Sequence, residues 1–237
     1  MLGTIVNSIA IIAGSILGIL LRNGIKDEYK NTIMDGINLS VIVIGIMGAI
    51  KSENIILVII SMVIGGLIGE MIGIENKLDN LGNKLQNTFA KGDSNFTKGF
   101  VTTSLIYCIG AMAIIGSLES GITGNHETLF AKSILDGISA IVFASTLGIG
   151  VAFSAIAVFI YQGSITLLSS YIKDLLTFEV INEMSAIGGI LIMAIGLTMS
   201  GIKKIKVGNL LPAIFIPLIY YVLRLVIMWY LKKYKCV

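Results

Sequence analysis

Histidine occurs once in these 237 residues, at His126, and cysteine twice, at Cys108 and Cys236. One imidazole cannot build the usual metalloprotease site. Two cysteines so far apart give neither a metal-ligand spacing nor a disulfide framework. Cys236 is followed only by Val237, so no prenylation box is expected around it. Charge is scarce too: 13% of residues are Asp, Glu, Lys or Arg, about half of what a soluble domain carries. The net charge of +3 is small and spread among loops, which gives nucleic acid no basic stripe to follow. Walker loop, dinucleotide fingerprint, HExxH motif and nucleophile elbow are all missing. The chain therefore does not read as an enzyme, and no catalytic residue, cofactor or metal site is expected.

What is there is apolar: 55% of residues are hydrophobic and the mean hydropathy is +0.93. Apolar runs recur along nearly the whole chain, leaving no room for a soluble domain. The expected class is all-α, a single membrane domain over 1–237, because backbone groups in lipid must be satisfied within each segment. A span takes roughly 20 apolar residues. Eight candidates follow: 3–21, 33–50, 54–73, 99–118, 131–148, 151–171, 180–201 and 208–231. The first begins without a basic n-region and is read as a retained helix rather than a cleaved signal. The fifth and sixth share one apolar run broken at Gly148-Ile149-Gly150, either as a tight hairpin or as two re-entrant half-helices. Pro212 and Pro217 predict a kink near Asn209.

Lysine and arginine mark cytoplasmic loops. Arg22, Lys26 and Lys30, then Lys77, Lys84, Lys91 and Lys98, then Lys203, Lys204 and Lys206 fall on one side if the N-terminus is outside. The basic C-terminus, with Lys232, Lys233 and Lys235, runs against the rule. Within the loop 75–98, Leu78, Leu81, Leu85 and Phe89 continue a helical stripe from Ile74, which suits an interfacial helix.

The chain also repeats itself. Ile-Met-Asp-Gly-Ile-Asn at 33–38 matches Ile-Leu-Asp-Gly-Ile-Ser at 134–139, and 112–122 matches 192–202. Repeat A (33–122) holds the second to fourth spans and repeat B (134–202) the fifth to seventh. By the span count the copies start on opposite sides, so they form an inverted repeat. Such repeats commonly hold a midplane site in transporters and channels; a symmetric scaffold without transport, or chance likeness of Gly/Ile-rich segments, is the plainer alternative. Gly14 and Gly18, and Gly65, Gly69 and Gly73, are spaced four apart. That spacing serves close helix contact, either inside the chain or across a homodimer built on the first or third span.

Polar residues inside spans are functional candidates by default. Asp35 and Asp136 fall in the expected first turn of their helices, where capping is the alternative role. Glu183 begins the seventh span. Ser139 follows Asp136 by three residues. Gln162 lies mid-span and needs a partner there, with Gly163 beside it giving room; its plainer role is a helix–helix hydrogen bond. These six, Asp35, Asp136, Ser139, Gln162, Gly163 and Glu183, are the candidate ligand-binding residues.

The stretch CIGAMAIIGSLESGITGNHETLFAKSILDGISAIVFASTLGIGVAFSA at 108–155 resembles the YqgA/YdfK-like bacterial inner-membrane proteins, as do YQGSITLL at 161–168 and IKVGNLLPA at 205–213. The resemblance implies a polytopic protein of the bacterial inner membrane, in a family defined by a domain of unknown function. It carries over no activity and no site. Two functions are thus expected: a secondary transporter or channel for a small ion or polar solute with its site between the repeats, or a non-transporting scaffold or sensor. Its surroundings are the lipid bilayer and no nucleic acid.

Overall fold

A computed structural model describes residues 1–22, 27–90 and 95–234. Among them the regular structure is helical: α1 (Leu2–Arg22), α2 (Asp27–Ala49), α3 (Ile55–Ile72), α4 (Ile74–Phe89), α5 (Phe96–Cys108), α6 (Ala111–Ile122), α7 (Glu127–Leu147), α8 (Gly150–Ile172), α9 (Phe178–Met199), α10 (Val207–Leu210), a 3-10 turn at Leu211–Phe215, and α11 (Ile216–Tyr234). Seven segments are each long and apolar enough to cross a membrane, and α5 with α6 forms an eighth as a bent pair.

Seven of the eight expected spans thus stand as continuous segments. The fourth, expected as one helix over 99–118, is corrected: it breaks at Ile109-Gly110 with a 62° bend. Gly110 supplies the break, since its φ of 143° lies where side-chain-bearing residues are strained. The fifth and sixth spans, α7 and α8, are full-length helices meeting at Gly148, which removes the re-entrant alternative. Near Asn209 the last span does lose regularity, passing from α10 through the 3-10 turn into α11. Leu211-Pro212 opens that turn, as expected of a residue that cannot donate to the preceding turn.

Close contacts fix the helix directions. Gly3 abuts Leu129, Gly14 abuts Gly137 and Gly18 abuts Ile141, so α1 and α7 run parallel. Gly48 faces Gly189 while Gly196 faces Ile42, so α2 and α9 are antiparallel. Gly65 lies on Ala213 and Gly69 on Asn209, so α3 opposes the last span. Gly150 meets Phe96 and Gly121 meets Ser169, so the α5–α6 pair runs with α8. These directions match eight alternating passes. They gather 73–90, 95–98, 148–150 and 200–207 at one end of the bundle, and Met1, 52–54 and 120–127 at the other. Lys77, Lys84 and Lys98 therefore share an end with Lys203, Lys204 and Lys206, while Lys91 lies outside the described residues.

The glycine stripes serve contacts within the chain. A methyl at Gly14 would overlap the Gly137 carbonyl oxygen, and one at Gly69 the Asn209 carbonyl oxygen. The faces considered for a homodimer at these glycines are thus filled by α7 and by the last span.

The core sits between α5, α7, α8 and α9, around Tyr107, Phe143, Val151, Val158, Leu191 and Ile195. Helix α9 is the enclosed one, with 72% of its span buried, against 11% for the last span. Large apolar side chains such as Leu20, Met71, Ile134 and Leu167 are exposed on the outer faces. Exposed apolar surface on this scale suits a lipid solvent, not water. Helix α4 crosses the lysine-bearing end. Its apolar side is only partly covered: Leu78 contacts Gly208, Phe89 stacks on Phe153 at 5.3 Å, and Leu81 is exposed.

Candidate functional site

Asp136 does not lie in a first turn. Helix α7 begins at Glu127, so Asp136 falls in its middle and capping is excluded. It is buried, and one turn earlier Lys132 is buried with it. Four residues on a helix bring the two side chains together. The Lys132 ammonium donates to Oδ1 at 2.9 Å and lies 2.8 Å from Oδ2. From α1, Asn7 donates its amide to Oδ2 at 3.0 Å. Neither Lys132 nor Asn7 was singled out from the sequence. The Lys-x-x-x-Asp spacing was the available signal for the first; nothing local signals the second.

Ser139 belongs to the same group. Its hydroxyl lies 3.0 Å from the Asp136 carbonyl oxygen and 3.3 Å from the hydroxyl of Tyr107, a buried residue at the end of α5. Gln162 points inward from α8 and is fully buried, yet neither amide atom has a hydrogen-bond partner in the protein. Its expected helix–helix hydrogen bond is therefore not made. A methyl at Gly163 beside it would come within 3.5 Å of the Met1 side chain, which sets this part of α8 next to the start of α1.

Gln162 is not alone. The buried atoms Thr4 Oγ1 and Asn7 Oδ1 on α1, Ser117 Oγ on α6 and Thr166 Oγ1 on α8 also lack partners in the protein. Helices α1, α6, α7 and α8 all pack on one another, so these five residues and the Lys132–Asp136 pair occupy one four-helix unit; further unpaired buried atoms, on Asn38, Ser61, Ser104 and Ser185, belong to other helices. Buried polar groups are normally paired, and each exception needs an explanation.

The remaining candidates lie elsewhere. Asp35 is exposed on α2 and makes no hydrogen bond or ion pair among the described residues; Gly36 beside it faces open space. It sits near Asn38, which packs against Gly196 at the finishing end of α9. Asp136 is instead mid-helix on α7 beside Asn7, so the two aspartates sit at different depths of the bundle. Glu183 is buried near the start of α9, on the wall of a cavity of about 250 Å³, and both its oxygens accept hydrogen bonds. Its Oε1 accepts the N–H groups of Glu53 at 2.9 Å and Asn54 at 3.2 Å, and its Oε2 accepts the Ser52 hydroxyl at 2.7 Å. It clamps the α2–α3 turn.

At the lysine-bearing end a second network joins α3, α4 and α10. Glu70 accepts from Lys206 and from the Asn209 amide, both at 2.6 Å. Glu75 accepts the Gly208 N–H at 2.6 Å, and its own N–H donates to Asn209 Oδ1 at 2.8 Å. Burial pushes the Glu75 carboxyl above its ordinary value; the Gly208 N–H pulls it down and the Asp79 charge raises it again. A cavity of about 510 Å³ opens beside it, walled by Asp79, Lys98, Thr102, Leu105 and Met199 among others.

A family model described as a protein of unknown function (DUF554) matches residues 2–222. The chain belongs to this family. It is similar to the uncharacterized membrane protein YdfK of Bacillus subtilis (strain 168), with 42% identity over 221 residues covering 92% of this chain and 94% of the relative. It is also similar to the uncharacterized protein YqgA of Escherichia coli (strain K12), with 30% identity over 220 residues, 91% of this chain and 94% of that one. No solved structure matches it significantly. Relatives and apolar spans together make this a multi-pass membrane protein.

Proposed function

We propose that this DUF554 member is a secondary transporter or channel for a small ion or polar solute in the bacterial inner membrane, with no enzymatic step. Its site is the polar interior of the α1, α6, α7 and α8 unit. The observation that carries the reading is Gln162: a fully buried amide with no partner in the protein, inside a membrane span. An unpaired buried amide costs free energy that an apolar residue of similar size avoids. Groups kept at such a cost are best understood as partners for something that passes. The unit also draws α6 from the first sequence copy and α7 and α8 from the second, which fits a site between inverted repeats.

Uptake into vesicles holding the purified protein, measured over a panel of ions and small metabolites, tests this. Gln162→Leu removes the unpaired amide, so it leaves thermal stability unchanged or higher while uptake of the active solute falls to background. A scaffold or sensor gives no uptake in either form. Uptake undiminished in Gln162→Leu removes the site from the path.

A further inference from the structure

We infer that the solute taken by this unit is an uncharged hydrogen-bonding molecule rather than an ion. The inference rests on the transport reading and narrows it. It follows from charge and from the kinds of unpaired atoms present.

The buried Lys132–Asp136 pair is compensated internally. Lys132 spans both oxygens of Asp136 at 2.9 and 2.8 Å, and Asn7 adds a third contact at 3.0 Å. The carboxylate has its charge partner within its own helix, and so has the ammonium. An ion arriving beside them would find no opposite charge free to receive it. In a low-dielectric interior an uncompensated charge is strongly disfavoured.

The unpaired atoms are of both kinds. Gln162 Nε2 donates; Gln162 Oε1 and Asn7 Oδ1 accept; the hydroxyls of Thr4, Ser117 and Thr166 do either. A bare cation uses only acceptors and meets the Nε2 hydrogens unfavourably; an inorganic anion uses only donors and meets two carbonyl oxygens. A neutral molecule with donors and acceptors on one small frame, such as water, urea, a short amide or a polyol, uses all of them. Sites of this kind reject analogues that leave their polar groups unpaired. Thr4 and Asn7 lie three apart on α1 and so share a face, and Gln162 and Thr166 lie four apart on α8 and do the same. The unpaired groups thus recur one turn apart on each of two packed helices, which suits stepwise exchange of hydrogen bonds.

Vesicles carrying the purified full chain test the inference with two readouts. Light scattering after an osmotic jump follows water, urea, acetamide and glycerol. A potential-sensitive dye follows sodium, potassium and chloride under an imposed gradient. The expected result is entry of at least one neutral probe about tenfold above empty vesicles, with no ion conductance. Gln162→Leu and, separately, Thr166→Val each cut that entry several-fold; two sites guard against one variant failing to fold. Water entry without the organic probes identifies a water path, and entry of an organic probe identifies a solute path; both uphold the inference. Ion conductance that disappears in Gln162→Leu, without neutral entry, overturns it while leaving the transport reading in place. No movement of any probe overturns both.

Discussion

Replacing Lys132 by alanine lowers the stability of the protein by about 3–5 kcal/mol. The substitution leaves the Asp136 carboxylate buried on α7 with only the Asn7 amide beside it. Removing one partner from a buried pair costs more than the pair contributes, because the remaining charge has no water to turn to. The control is to remove both charges while keeping shape and hydrogen bonding. Lys132→Met with Asp136→Asn retains an acceptor for Asn7 and restores most of the loss. Thermal unfolding in detergent measures both. A Lys132→Ala protein as stable as the parent would show that the pair is not buried as described. The comparison separates a charge-pair effect from simple loss of the lysine's aliphatic stem, which the double variant's methionine replaces.

Glu183→Leu has the next largest effect, a loss of about 3 kcal/mol or more, since hydrogen bonds to a charged acceptor contribute about 1.5–3 kcal/mol each. Three donors lose their acceptor at once: the N–H groups of Glu53 and Asn54 and the hydroxyl of Ser52. The turn they belong to leads into α3, where Asn54 caps the helix by accepting from the Leu57 N–H. Damage is therefore local first. Trypsin cleavage after Lys51 rises before global unfolding does. Glu183→Gln keeps one carbonyl oxygen for the two backbone donors and loses less. Unchanged cleavage in Glu183→Leu would show that Glu183 does not clamp this turn.

Much of this architecture is legible in the amino-acid order, and the exceptions have physical causes. Spans are readable because lipid demands long apolar runs, and nearly every run here is closed by charge or by glycine. The break in the fourth span is not readable. Cys108-Ile109-Gly110-Ala111 is apolar throughout, and a glycine in a membrane helix is as common at a contact as at a bend. Stripe spacing at Gly14 and Gly69 announces close approach but not its partner, which lies on α7 in one case and on α10 in the other. Asp35 and Asp136 look equivalent because their flanking residues match. Their surroundings differ, since Gly36 faces open space while Gly137 packs on α1. Asn7 joins Asp136 across 129 residues, a contact that no local pattern encodes. Gln162 was legible as out of place; that it lacks a partner required the fold.

Transport through the buried polar unit needs a water-reachable path, and cysteine accessibility measures that directly. In a Cys108→Ala, Cys236→Ala background, Ser117→Cys places a thiol at a fully buried position among the unpaired groups. Asn125→Cys, exposed at the same end, is the reactive control, and Ile134→Cys on the outer face of α7 is the lipid-shielded one. A small neutral, hydrophilic thiol reagent should modify Ser117→Cys in membranes, more slowly than Asn125→Cys but far faster than Ile134→Cys, and the transported solute should slow it. Ser117→Cys as unreactive as Ile134→Cys, while Asn125→Cys reacts fully, would contradict a path through this unit.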